Sequence, residues 1–242
     1  MGELSGKVVV VTGASRGLGK AIAEAFAAEG AHLVLGSRDQ EALDILERQH
    51  AGVLVSQCDV SERSDLVALA EAAIGEWGRI DIWVNNAGVA VYGPFLDTTE
   101  SDFDAMVGTN LRGTYFGSQV ALGAMRAHHA GLIVNIGSIA GVLHLPNESA
   151  YSATKWAVRG FTGVLRREAA QFNVRVTCVL AGGMDTPFWK EQEFTPFPPE
   201  VVPERDFMRP EDVARMIVDV ARYPDSYVVP EIVCLPLQQA NV

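Results

Sequence analysis

Tyr151 and Lys155 stand four residues apart in Tyr151-Ser152-Ala153-Thr154-Lys155. On a helix that spacing puts both side chains on one face. A phenol ordinarily ionises near about pH 10. An ammonium one turn away stabilises the phenolate and lowers that value, making the pair a proton donor and acceptor for a substrate oxygen. With five tyrosines and four lysines in the chain, chance alone places such a pair in roughly one sequence in twelve, and the bland alternative is a solvated surface pair. The surroundings count against it. Ser138 closes the apolar run Ile133-Val134-Asn135-Ile136-Gly137-Ser138 just upstream. Its hydroxyl can hold a carbonyl oxygen and stabilise developing negative charge, although a serine opening a turn toward Ala140-Gly141 would read the same by itself.

A second chemistry sits near the N-terminus, in Thr12-Gly13-Ala14-Ser15-Arg16-Gly17-Leu18-Gly19. Gly13, Gly17 and Gly19 permit a tight turn and close approach of a diphosphate, whose charge meets the start of a helix. Ser15, Arg16 and Leu18 share that loop. Glycines also serve turns that bind nothing, but this loop joins a strand-like run to a helical one, the context that dinucleotide binding requires. An NAD enzyme commonly ends the next strand with an acid for the ribose 2′-hydroxyl. Here Ser37 and Arg38 stand at that point. A guanidinium holds the 2′-phosphate that a carboxylate would repel, and Arg16 is a second candidate clamp. NADP(H) is therefore preferred, with NAD(H) as the alternative. The competing reading has Arg38 pairing with Asp39 or Glu41 on the following helix. With such a cofactor Tyr151 would protonate the forming alkoxide as hydride arrives, and the oxidised ring's charge would acidify the phenol further.

The elements that must position these residues follow from alternating patterns. Lys7–Thr12 reads as a buried strand and Gly17–Gly30 as a helix ending in glycine. His32–Leu35 is a second strand, followed by a charged helix from Asp39 to about His50, and Val53–Gln57 a third strand. Ser61–Trp77 is a helix whose Leu66, Leu69, Ala70, Ala73, Ile74 and Trp77 recur at helical spacing. Ile82–Val84, Leu132–Ile136, Val174–Leu180 and Tyr227–Leu235 complete the strands. Runs that are apolar throughout are covered on both faces. Repeated βα units of this kind predict an α/β, Rossmann-like, doubly wound, mainly parallel seven-stranded sheet with helices on both faces, which binds ligands at the strands' carboxyl ends. No linker or repeat interrupts residues 1–242, so one domain is expected. Thr186–Met208, rich in prolines and aromatics, reads as a substrate-covering loop.

On these residues the chain resembles the short-chain dehydrogenase/reductase family. The glycine spacing is that family's TGxxxGxG, and Asn85-Asn86-Ala87-Gly88 is similar to its motif after the fourth strand. The resemblance implies that Asp59 and Val60 contact adenine, that Asn86, Ala87 and Gly88 line the cofactor, and that Lys155 bonds the nicotinamide ribose. It implies a catalytic tetrad of Asn110, Ser138, Tyr151 and Lys155, with Asn110 holding a water that links Lys155 to solvent. Local capping is the plain alternative for that asparagine. Met184 and Thr186 match positions that hold the nicotinamide carboxamide. The family's Pro-Gly pair after the sixth strand is Ala181-Gly182-Gly183 here, which predicts a less rigid turn. A homodimer or homotetramer is likewise implied.

Composition sets the remaining bounds. The chain has 242 residues, 48% hydrophobic and 20% charged, with a net charge of -11. Such a surface repels nucleic acid and anionic membranes. Cys58, Cys178 and Cys234 are isolated in apolar runs without metal spacing, as expected of reduced thiols in the cytoplasm. No apolar stretch reaches membrane-spanning length. The substrate wall is expected from His144, Leu145, Asn147 and Glu148 with Met184, Phe188, Trp189, Phe194 and Phe197, a mixture suited to an apolar or mixed carbonyl compound. His144 could bond substrate or sit solvated. The function expected is NADP(H)-dependent oxidoreduction of a small-molecule carbonyl or alcohol. The alternatives are 3-ketoacyl thioester reduction, with Arg159, Arg166 and Arg167 as a local docking face for an acidic carrier, or a non-catalytic NADP(H) sensor.

Overall fold

Val8–Thr12 (β1), His32–Ser37 (β2), Ile82–Asn85 (β4), Gly131–Ile136 (β5) and Val174–Ala181 (β6) are buried at residues of both parities. Strands read this way when both faces are covered. In the computed structural model, which describes residues 2–239, these five join Val53–Gln57 (β3) and Glu231–Cys234 (β7). The sheet has the order β3-β2-β1-β4-β5-β6-β7, and every pairing is parallel. The expected mainly parallel sheet is thus wholly parallel. It forms a Rossmann-like, doubly wound single domain.

In chain order the helices are α1 (Gly17–Ala28), α2 (Gln40–Gln49), α3 (Arg63–Trp77), α4 (Glu100–Met106), α5 (Thr114–Met125), α6 (Ser149–Ala169), α7 (Pro203–Asp206) and α8 (Pro210–Arg222). Ile22 and Phe26 of α1, Leu43 and Leu46 of α2, and Val213 and Ile217 of α8 fill the core on one face of the sheet. Leu66 and Leu69 of α3, Met125 of α5 and Leu165 of α6 fill the other. The α3 stripe departs from its expected membership at Ile74, which is exposed, while Trp77 stacks on His32 with centroids 4.9 Å apart. Gly78, left-handed at φ 75°, ends that helix. β7 begins at Glu231 rather than Tyr227. Pro230 has no N–H to extend the ladder, and its carbonyl accepts from Cys178 N at 3.1 Å. No described helix is long and apolar enough to cross a membrane.

A buried polar network holds β4 and β5 against α5 and α6, directly beneath the catalytic end of the sheet. Asn85 Nδ2 donates to Ser118 Oγ at 3.0 Å and Asn135 Oδ1 at 2.8 Å. Asn135 Nδ2 donates to Thr162 Oγ1 at 3.0 Å, and Trp83 Nε1 donates to Asn85 Oδ1 at 2.7 Å. Removing one member strands its partners without water. Asn135→Ala is therefore expected to lower the unfolding free energy by about 2–3 kcal/mol, read as a shift of the urea midpoint at unchanged slope.

Candidate active site

The strand order reverses between β1 and β4, and open α/β sheets bind ligands where that reversal splays the loops apart. A cleft of about 630 Å³ opens there. The loop after β1 brings Gly13, Ser15, Arg16, Gly17, Leu18 and Gly19 to it. β2 brings Ser37 and Arg38, β3 Asp59 and Val60, and β4 Asn86, Ala87 and Gly88. From β5 come Ser138 and, through α6, Tyr151 and Lys155, and from β6 Met184 and Thr186. Of the expected catalytic and cofactor residues, only Asn110 lies off the lining.

The nucleotide end is a cradle of backbone. Gly13 is left-handed at φ 65°, and a Cβ there would stand 2.8 Å from Ala87 Cα. Only glycine lets the two loops approach so closely. Asn86 Nδ2 donates to Thr12 O at 2.9 Å and Gly13 O at 3.1 Å, and Thr12 Oγ1 accepts from Asn86 N and Ala87 N. Asn86 therefore acts by fastening the cradle to β4. Ser37 Oγ donates to Ser15 Oγ at 2.8 Å, joining the end of β2 to the same loop. Arg16 and Arg38 are exposed at this rim. Asp39 caps α2 through Ala42 N at 3.1 Å, and no ion pair joins Arg38 to Asp39 or Glu41, so the capping alternative for Arg38 is not realised. The Asp59 carboxyl stands below its ordinary value. Burial raises it, but the hydroxyl and amide of Ser61 and the charge of Arg38 outweigh that. This cradle fits a dinucleotide, whose phosphate would be held by the loop and the N-terminus of α1.

At the other end, Ser138 Oγ accepts from Ala140 N at 3.1 Å and stands near enough to the Tyr151 hydroxyl to draw its pKa down. Lys155 Nζ donates to Ile136 O at 3.0 Å and lies 5.6 Å from the centroid of the Tyr151 ring. The expected acidification of the phenol by the lysine is not seen in this geometry. Burial pushes Tyr151 up to about 12; the Ser138 hydroxyl works against that shift and the Glu148 charge adds to it. Lys155 is itself 4% exposed, and burial brings it down to about 8. In this geometry burial is the largest influence on the phenol. Asn110 is fully buried in a π-helical turn, Val107–Gly113. Its Oδ1 accepts from Val89 N at 2.8 Å, and its Nδ2 donates to Val89 O at 2.8 Å and Thr154 Oγ1 at 3.1 Å. The amide thus fixes the segment after Gly88 to α6.

Of the expected substrate wall, Leu145, Glu148, Met184, Phe188, Trp189 and Phe197 line the cleft. His144 does not; its ring stacks on Trp156 at 5.5 Å, on a shallow outer face. Asn147 and Phe194 are also off the lining. Asn147 is left-handed at φ 64°, and its carbonyl accepts from Gly93 N at 2.9 Å, which turns the chain so that the next residue enters the cleft. Two lining aromatics escape sequence reasoning. Tyr92, 8% exposed, meets Tyr151 edge-on at 5.5 Å and stacks on Trp189 at 5.8 Å. Phe207 packs on Phe197 at 4.9 Å. The turn after β6 is better braced than its glycines predict. Gly182 N donates to Cys234 O, Gly183 N to Gln239 Oε1, and Asp185 N to Met208 O. Trp189 Nε1 closes the set on Met184 O at 2.7 Å.

Residues 7–195 match the family model for short chain dehydrogenases. The chain is 33% identical over 238 residues to a 3-oxoacyl-[acyl-carrier-protein] reductase, FabG, of Thermotoga maritima, covering 96% of each. It is 35% identical over 240 residues to a sepiapterin reductase of Chlorobaculum tepidum, covering 95% of this chain and 96% of that one. Among solved structures, a metagenomic short-chain oxidoreductase in complex with NADP superposes with a TM-score of 0.82 at 33% identity, over 97% of this chain and 98% of that one.

Proposed function

We propose that this chain, which belongs to the short-chain dehydrogenase family of oxidoreductases, is an NADP(H)-dependent reductase of small-molecule carbonyl compounds with Tyr151 as its proton donor. One observation carries the reading: Ser138, Tyr151 and Lys155 line the same cleft as the glycine cradle and the Ser37-Arg38 rim. Burial pushes Tyr151 up to about 12, so the phenol carries its proton at neutral pH. Reduction needs that state; alcohol oxidation needs the phenolate. When bound, the reduced nicotinamide supplies hydride. Ser138 holds the substrate oxygen, and Tyr151 hands it the proton as negative charge develops there. Lys155 would bond the ribose of a bound cofactor, and its positive charge steadies Tyr151 once deprotonated. Asn110 positions Val89 and α6, and Met184 and Thr186 would hold the carboxamide of a bound nicotinamide. Residues 186–208 cover the substrate through the cluster of Trp189, Phe197 and Phe207.

The test is NADPH oxidation against a panel of aldehydes and ketones, measured at 340 nm (about one cofactor consumed per carbonyl reduced); absence of turnover across the panel, with NADPH still bound, favours a sensor instead. The kinship with a FabG protein makes 3-ketoacyl thioester reduction the second reading. A carrier-docking face is poorly supported, because Glu231 binds Arg159 bidentately at 2.9 and 3.0 Å and Pro230 O accepts from Arg166 at 2.9 Å.

A pH dependence follows from Lys155. Its depressed value leaves it charged below about 8 and neutral above. The kcat/KM for reduction is expected to hold through neutral pH and to fall about tenfold per unit above that point. Lys155→Arg, which does not titrate in this range, should lose the alkaline limb even where its overall rate is lower. Location and assembly complete the proposal. Three buried free thiols suit the reducing cytoplasm, and exposed Phe95, Leu96, Tyr115 and Val164 suit a homodimer or homotetramer, which sedimentation would read directly.

A further inference from the structure

Glu148 is a side chain of the cleft whose chemistry the reaction described above leaves unused. It lines the substrate end and is 5% exposed. It stands at the N-cap of α6, yet its side chain caps nothing there. Among the described residues none donates a hydrogen bond to its carboxylate or forms an ion pair with it. A buried carboxylate is ordinarily hydrogen-bonded, paired with a cation or protonated. Burial accordingly pushes its carboxyl up to about 7. Its charge adds to the upward shift of Tyr92 and Tyr151, which line the same cleft.

Those surroundings have a charge preference. The ring of Tyr92 stacks on Trp189 and meets Tyr151 edge-on, so Glu148 shares its cleft with a cluster of aromatic rings. Carboxylate and aromatic faces together are what a substituted ammonium selects. Lys155, the buried cation nearest the reaction, is held by Ile136 O and faces the cradle, where a Cβ on Gly88 would come within 3.7 Å of its Nζ. An anionic substrate would therefore meet Glu148 without compensation.

We infer that Glu148 is the specificity-determining residue of this cleft and that the preferred substrates are amino ketones whose cationic nitrogen, close to the reacting carbonyl, pairs with its carboxylate. The inference rests on the reductase reading for its carbonyl, but not for its cation. The carbonyl oxygen goes to Ser138 and Tyr151, the ammonium to Glu148 and the nearby aromatic cluster. Neutral hydroxy ketones fill the same space but leave the carboxylate's charge unbalanced, and keto acids add a second negative charge.

The test compares aminoacetone with its neutral isostere hydroxyacetone and with pyruvate, in wild type and in Glu148→Gln. Wild type is expected to favour aminoacetone over hydroxyacetone by roughly 10- to 100-fold in kcat/KM, the range for a hydrogen bond between charged partners, with pyruvate poorest. In Glu148→Gln the ratio should collapse toward one. The ratio within each protein is its own control, and the wild-type ratio needs no variant to fold. A wild type that turns over hydroxyacetone as well as aminoacetone overturns the inference and leaves the reductase reading standing. Calorimetry on protein saturated with NADP+ asks the same question without turnover. Isopropanolamine should bind at least about tenfold more tightly than propylene glycol, and equal affinities overturn the inference even if no carbonyl is reduced.

Discussion

Tyr151→Phe is expected to lower kcat for carbonyl reduction between about a hundredfold and ten-thousandfold, the usual contribution of a positioned general acid. Phenylalanine keeps the edge-on contact with Tyr92 and the ring beside Lys155, and removes only the hydroxyl. The melting temperature and NADPH affinity should therefore stay near wild type. That combination separates loss of a proton donor from loss of the site. A variant that loses cofactor affinity as much as turnover would show that the hydroxyl holds the cofactor in place rather than acting only as proton donor.

The second large effect lies at the other end of the cleft. Ser37→Asp puts a carboxylate where β2 meets the cradle. It would repel the 2′-phosphate of NADPH and accept hydrogen bonds from the ribose hydroxyls of NADH. The ratio of kcat/KM for NADPH to that for NADH is expected to fall by about 100-fold or more. Arg38→Leu should weaken NADPH by about tenfold to 100-fold and NADH far less. Steady-state kinetics with both cofactors read each ratio. If wild type already prefers NADH, Arg38 is not a phosphate clamp.

Much of this architecture is legible in the residues, and the parts that are not fail for identifiable reasons. β1 and β5 announce themselves because a strand covered on both faces must be apolar at every position. The cradle is legible because close backbone approach at Gly13 admits no side chain. Tyr92 is missed because it lies in an irregular segment between β4 and α4, where no periodicity marks an inward face. His144 and Glu148 look alike as polar residues on one turn. They part company because Asn147, left-handed between His144 and α6, sends the chain back toward the cleft. The stiffness of the Gly182-Gly183 turn is invisible locally, since Gln239 near the other end of the chain supplies one of its bonds. The phenol's behaviour depends most on its burial, which four-residue spacing does not determine.

The most direct measurement is a crystal structure of the complex with NADPH and an unreactive ketone analogue. The hydroxyls of Tyr151 and Ser138 should both lie within about 3.2 Å of the ligand oxygen, with C4 of the nicotinamide facing the carbonyl carbon. A ring whose C4 is turned away, or lies beyond reach of any atom that Tyr151 can touch, would contradict proton transfer from this phenol.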